Sequence, residues 1–209
     1  MSFEVIAECV IAGNEPGAVN GVQGLIDAGT DPLSIINDGL MPGMMVVGER
    51  FKAGDMFVPE VLMAARAMNS GIALVKPLIN DEDMPNVGTV VIGTVKGDLH
   101  DIGKNLVAMM MESAGFKVIN LGVDATTDKF VEAVKENNAK IVAMSAMLTT
   151  TMVYMKKVIE ALEEAGVRDQ VKVMIGGAPV TTKFADEIGA DLYTVDASSA
   201  ADEGKNLVA

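Results

Sequence analysis

The sequence predicts an α/β protein in two parts: a four-helix N-terminal domain at 1–80, then a five-stranded parallel-sheet domain at 89–209. Apolar residues recur at helical spacing from Phe3 to about Lys76. Beyond a polar, acidic connection the pattern changes to short β-prone runs alternating with helical stretches. With 209 residues, half of them apolar, the chain is long enough to bury the cores that two such domains need.

The helical period is clearest in Leu33, Ile36, Leu40, Met44, Val47 and Phe51, and again in Val58, Val61, Leu62, Ala65, Met68 and Ile72. Gly13 to Gly17 separates the first helix from the second. Asp31 can cap the helix that Pro32 opens, and Gly54-Asp55 interrupts the pattern before Pro59. Four helices in about eighty residues imply a small bundle.

The stretch Asn80 to Gly88 is acidic, polar and broken by Pro85, which suits an exposed connection and a candidate hinge. Strand-like runs follow at Thr89 to Thr94, Lys117 to Leu121, Lys140 to Ser145, Val171 to Ile175 and Asp191 to Val195. Near-continuous apolar strands joined by helices imply a parallel sheet covered on both faces. Five such units favour the flavodoxin-like, Rossmann-type winding with strand order 2-1-3-4-5.

A formal charge of −13 with no basic cluster repels phosphate backbones and anionic membranes, so nucleic acid and membrane are not expected partners. No apolar run approaches the roughly 18 residues a spanning helix needs, and the acidic start lacks a signal peptide's basic flank; the expected location is cytoplasmic. Cys9 is the sole cysteine, which excludes an internal disulfide and a thiolate cluster. Sixteen methionines against 4% aromatics suit either a Met-rich core or deformable partner surfaces.

The first strand leads into Gly93-Thr94-Val95-Lys96-Gly97-Asp98-Leu99-His100-Asp101-Ile102-Gly103-Lys104-Asn105. Sheets of this winding bind ligands in loops at the carboxyl ends of their strands. His100 is the only histidine of the chain, so any histidine-dependent chemistry must use it; a merely exposed histidine is the competing reading. Asp98 is placed to accept from one imidazole nitrogen, fixing the tautomer of a ligating ring, or to act as a turn residue. One histidine and one distant cysteine make an all-protein metal cage an unpromising reading, whereas a metal already held in a macrocycle needs a single axial ligand. Cobalamin is such a cofactor.

Gly97-Asp98-Leu99-His100-Asp101-Ile102-Gly103 resembles the Asp-x-His-x-x-Gly signature of cobalamin-binding domains that replace the cofactor's own base with histidine. Gly48-Glu49-Arg50-Phe51 and Phe57-Val58-Pro59-Glu60-Val61 look like the helical cap of methionine synthases and methylotrophic corrinoid proteins, so the resemblance covers nearly the whole chain. It implies a cofactor site of Gly97, Asp98, His100, Asp101 and Gly103, with His100 on the cobalt. Ser145, Leu148 and Thr149 would line the nucleotide tail, and Thr151 would complete a His-Asp-hydroxyl relay, although Thr149 and Thr150 compete for that place and a Thr run also suits a helix cap. Gly176 and Gly177 would lie against the tail or form a simple tight turn, and Tyr193 and Ala197 match positions beside the nucleotide. Phe51 and Val58 would shield the upper face of the cobalt, or only fill the bundle.

By the same resemblance the chain is a methyl carrier. Its reduced cob(I) cofactor would take a methyl group from a substrate bound to a substrate:corrinoid methyltransferase, becoming methylcobalamin or a related methylcorrinoid, and would deliver it to a second methyltransferase acting on tetrahydrofolate or coenzyme M. A reductive activase is a further candidate partner. No second histidine, paired thiol or phosphate loop suggests a substrate site of its own, so substrate choice is expected in the partners. The methyl donor stays open among methanol, methylamines, betaines and aryl methyl ethers. The alternatives are a cobalamin-dependent regulator and a flavodoxin-like binding domain without cobalamin.

Overall fold

The computed structural model describes residues 2–79 and 87–208. The chain divides into two compact units, Met1–Pro85 and Asn86–Ala209. Most of the candidate hinge, at 80–86, lies outside the described residues.

The first unit contains α1 (Phe3–Ile11), α2 (Glu15–Asp27), α3 (Pro32–Ser34), a π-helical stretch (Ile35–Leu40), α4 (Met41–Ala53) and α5 (Val58–Val75). Local chemistry sets the boundaries. Asn14 accepts from the Gly17 amide at 3.1 Å, and Asp31 accepts from the Ser34 amide at 2.9 Å with Pro32 in the first turn. Gly54 closes α4 in the left-handed conformation, φ 80°. The Phe57 amide donates to the Glu60 carboxylate at 2.9 Å, the reciprocal half of a capping box at the start of α5. Ile6, Val10, Val22, Leu40, Val47, Val61 and Met68 are buried, along one face of each helix.

The periodic run from Leu33 to Phe51 is continuous helix, but it contains the π-helical stretch that periodicity does not reveal. Pro42 supplies the reason. It has no N–H for the carbonyl of Asp38 and its ring would strike that carbonyl in a regular helix; a wider turn relieves both. Gly43 then sits against α1, where an added Cβ would lie 2.7 Å from the Ala7 carbonyl oxygen.

The second unit is a five-stranded parallel sheet in the order β2-β1-β3-β4-β5. The strands are β1 (Thr89–Thr94), β2 (Lys117–Asn120), β3 (Ile141–Ser145), β4 (Lys172–Gly176) and β5 (Leu192–Tyr193). They alternate with α6 (Ile102–Ser113), α7 (Thr127–Asn137), α8 (Val153–Glu164), α9 (Thr182–Ile188) and α10 (Ala197–Val208). β1 is buried throughout, as a central strand covered on both faces must be. Val91, Val142, Val173 and Ile175 pack on one face with Phe130, Met155, Leu162 and Ile188 of α7, α8 and α9. On the other face Ile141 and Met174 meet Met111 of α6 near Gly204 of α10. Met44, Met68, Met110, Met111, Met144, Met155 and Met174 are core, while Met45, Met63 and Met147 are exposed.

β5 is shorter than the run Asp191 to Val195. The Asp191 carboxylate is engaged by the Val173 amide at 2.7 Å and by Arg168 at 2.8 Å, and Asp196 already caps α10 through the Ser199 amide at 2.7 Å. Leu192 and Tyr193 are the residues in register with β4, and the Asp191 amide on the Val173 carbonyl at 2.8 Å and the Thr194 amide on the Ile175 carbonyl at 3.2 Å flank them.

Gly177, just after β4, has φ 126°, and a Cβ there would fall 1.9 Å from the Ala146 carbonyl oxygen. Gly177→Ala is therefore expected to cost about 3 kcal/mol through overpacking against a backbone that cannot yield, read as a lowered urea midpoint of the cofactor-free chain. A midpoint equal to the parent's would show that the loop relaxes freely.

Candidate functional site

The carboxyl ends of β1 and β3 place two loops side by side, because their parallel register pairs Thr94 with Ser145. One loop carries Gly97 to Asp101 and the other Ala146 to Met152. Between them lies Asp98, with no exposed surface.

A buried carboxylate without partners would be strongly disfavoured. Asp98 has five donors. Oδ1 accepts from His100 Nδ1 at 2.7 Å and from the His100 amide at 3.1 Å. Oδ2 accepts from the Met147 amide at 2.7 Å, the Leu148 amide at 3.3 Å and Thr151 Oγ1 at 2.7 Å. Burial pushes the carboxyl pKa up, but the Met147 amide, the His100 imidazole, the Thr151 hydroxyl and the His100 amide together outweigh it and hold Asp98 well below the usual carboxylate range. Asp98 is thus both the turn residue, through the His100 amide, and the partner of the ring.

An ionised Asp98 accepts from His100 Nδ1, so a neutral ring in this arrangement carries its proton on Nδ1 and has Nε2 as its acceptor. The imidazole is about half exposed, at 55%. The His100 carbonyl accepts from the buried Thr94 hydroxyl at 2.9 Å, so backbone and ring are both held. A fixed Nδ1–H and an accessible Nε2 are what a metal-ligating imidazole needs.

The hydroxyl that meets Asp98 is that of Thr151, which is buried; Thr149 and Thr150 are exposed. Thr151 Oγ1 also lies 2.8 Å from the Leu148 carbonyl, and its single proton favours the charged acceptor. It does not cap α8, which begins without a side-chain cap. Leu148 is exposed, beside Asp98 through its amide, and Ser145 is half-buried at the end of β3. Gly97 turns at φ 81° and Gly176 ends β4. Tyr193 packs against the core and Ala197 is buried at the first position of α10. Phe51 and Val58 are half-buried at the end of α4 and the start of α5, beside the exposed Phe57; Val61 is core.

Gly103 differs from Gly177. It lies in the first turn of α6 without a positive φ, and a Cβ there would meet nothing within 4 Å. Glycine costs about 1 kcal/mol against alanine in a helix, and no protein neighbour requires it here. A bulky ligand approaching the start of α6 would. Leu99 and Ile102, on either side of the His100-Asp101 pair, are 72% and 79% exposed, an apolar rim suited to the edge of a macrocycle. Among the described residues no group of three or more His, Cys, Asp or Glu side chains could hold a metal ion, and the single imidazole of His100 would suit a metal already held by a macrocycle.

Sequence reasoning missed the supports around this loop. Lys104 is buried, donating to Asn105 Oδ1 and, at 2.8 Å, to Asn120 Oδ1; burial pushes its ammonium pKa down and the Asp101 carboxylate acts in the other direction. Asn105 in turn donates to Asp101 at 3.0 Å. Asp124, in the loop after β2, accepts from the Gly97 amide at 2.7 Å. Asn105 beside Lys104 at a helix start was the available signal; Asn120, at the end of β2, and Asp124 had none, since their partners lie on other elements.

A family model described as a B12 binding domain matches residues 88–203, and a second model of the same description matches residues 3–76. Trimethylamine corrinoid protein 1 of Methanosarcina acetivorans is 50% identical over 86% of this chain and 84% of its own length. The dimethylamine corrinoid protein of Methanosarcina barkeri is 48% identical over 86% and 84%. Among solved structures, a chain of the methanol:cobalamin methyltransferase complex of Methanosarcina barkeri superposes with a TM-score of 0.90 at 34% identity, covering 99% of this chain and 79% of that one.

The relay predicts an acid dependence. A carboxyl whose folded pKa lies below its unfolded value stabilises the fold fully above the unfolded value and loses that contribution as pH falls through the folded one. Asp98→Asn is expected to unfold at lower urea than the parent at neutral pH, with the gap closing below about pH 4. Thr151→Val is expected to cost about 2 kcal/mol at neutral pH. A gap for Asp98→Asn that is constant from neutral to acid would contradict the ionised relay.

Proposed function

The chain belongs to the B12 binding domain family, whose cofactor is cobalamin, and from that premise we propose that it carries a methyl group on cobalt from a methylamine:corrinoid methyltransferase to a second methyltransferase. The observation that carries this reading is the half-exposed imidazole of His100, locked by the buried Asp98 with Nε2 left for a metal. Cobalamin supplies a cobalt centre that accepts a methyl group in its reduced state and releases it to a nucleophile.

The residues of this chain do the rest. His100 would hold the cobalt through Nε2, and Asp98 with Thr151 would keep the ring in the tautomer that leaves that nitrogen free to bind. Gly103 leaves the start of α6 open for the ring's edge, and Leu99 and Ile102 give that edge apolar contacts. Leu148 and Thr149, both exposed, and the half-buried Ser145 would line the nucleotide tail. Methylamine is favoured as the donor class because the curated relatives near 50% identity carry trimethylamine and dimethylamine in their names, whereas the methanol-linked structure is 34% identical. The acceptor class, tetrahydrofolate or coenzyme M, would belong to the second partner, and the cytoplasm is the expected location of the reaction. Among the described residues no helix is long and apolar enough to cross a membrane.

The test uses the chain loaded with cobalamin and reduced to cob(I), mixed in turn with trimethylamine-, dimethylamine- and methanol-specific corrinoid methyltransferases and their substrates. Loss of the cob(I) absorption with one equivalent of amine demethylated per cobalamin is expected with a methylamine enzyme, and at least about tenfold more slowly with the methanol enzyme. Cobalamin binding without demethylation of either amine would overturn the methylamine assignment.

A further inference from the structure

Asp124 lies outside the histidine motif, in the loop between β2 and α7, with φ 51°. Among the described residues the other non-glycine with positive φ is Asn138, which ends α7 as its C-cap. Asp124 ends no helix. Its backbone is held in a conformation that a Cβ disfavours, and what it holds in return is the histidine loop.

Asp124 Oδ1 accepts from the Gly97 amide at 2.7 Å, and the Asp124 amide donates to the Asp98 carbonyl at 3.0 Å. These two bonds grip the Gly97-Asp98 segment at both ends, its first N–H and its last C=O. The neighbours of Asp124 continue the same attachment. The Gly122 carbonyl accepts from the Thr94 amide at 3.0 Å, and the Ala125 amide donates to the Thr94 carbonyl at 2.9 Å. The loop therefore prolongs the β1–β2 pairing past the strand ends, and Asp124 supplies a side chain at the point where Gly97 turns away at φ 81°.

The direction of the Asp98 side chain follows from the backbone that Asp124 grips, and that direction decides whether Oδ1 reaches His100 Nδ1 while Oδ2 reaches Met147 and Thr151. Conformation alone does not call for aspartate here, because glycine adopts this φ without strain. The acceptor oxygen does. We propose that Asp124 is a positioning residue for the His100 relay: by clamping Gly97 and Asp98 it keeps the imidazole proton on Nδ1 and Nε2 presented for the cobalt. The clamp operates in the cofactor-free chain, and only its consequence at cobalt rests on the axial-ligand reading.

His100 is the sole histidine, so imidazole ¹H–¹⁵N spectra of the cofactor-free protein report its tautomer without assignment. At alkaline pH, where the ring is neutral, the parent and Asp124→Asn are expected to show the Nδ1–H form, since asparagine keeps an acceptor oxygen and tolerates this φ. Asp124→Gly removes the acceptor while relieving the backbone, and is expected to show mostly the Nε2–H form with cooperative unfolding retained. If its unfolding is no longer cooperative, Asp124→Ala takes its place in the same spectra. A glycine variant that keeps the Nδ1–H form overturns the proposal, as does an asparagine variant that behaves like glycine. With cobalamin bound as cob(II), the fraction of cofactor ligated by His100 is expected to fall about tenfold in the glycine variant and to return in asparagine. A changed tautomer in a protein whose parent form never ligates cobalt by His100 would leave the clamp standing and remove the axial-ligand reading instead.

Discussion

The constraint on which the second unit's functional end depends is the burial of the Asp98 carboxylate. A carboxylate with no exposed surface is tolerated only if its lone pairs are filled, and here the donors come from two loops separated by about fifty residues of sequence. The β1 loop gives the His100 amide and ring, and the β3 loop gives two amides and a hydroxyl. The same charge that fastens the loops together also orients the histidine. Fold and site are thus served by one group, and neither loop can move without exposing or orphaning it.

The winding of the sheet makes this possible. β1 and β3 are neighbours because the chain passes over to β2 at one edge and returns, so both loops emerge at a point where the connections diverge to opposite sides. The register of β1 on β3 brings Thr94 level with Ser145, and from there each loop needs only a few residues to reach Asp98. Around that pair the structure adds neutral and charged braces: Thr94 on the His100 carbonyl, Lys104 with Asn105 and Asn120 at the start of α6, and Asp124 beneath Gly97. Exposed apolar residues, Leu99 and Ile102 above all, are left at the rim rather than folded inward, which gives a flat apolar ligand something to cover.

Much of this was legible in the sequence, because it rests on local patterns. Apolar strands, alternating helices and the change of period after about Lys76 specify the winding. The spacing of Asp98 and His100 allows both an Asx-type bond to the His100 amide and a bond to its ring, and both are present. The rest depended on tertiary geometry. Which of three threonines meets Asp98 is decided by the β1–β3 register, and Asp124 belongs to the site only because the β2 loop runs alongside the β1 loop. The π-helical stretch before Pro42 follows from the proline's missing N–H and its ring, which apolar periodicity does not register. β5 is short because only Leu192 and Tyr193 stand in register with Met174 and Ile175 of β4, which strand propensity does not reveal.

The central claim is that His100, held by Asp98, is the axial ligand of the cobalt. It is tested most directly by the electron paramagnetic resonance spectrum of the cob(II)-loaded protein beside that of His100→Ala. Superhyperfine splitting from a single nitrogen is predicted in the parent and is predicted to vanish in the variant while cobalamin remains bound. Splitting that persists in His100→Ala, or a parent spectrum without nitrogen coupling, would contradict it.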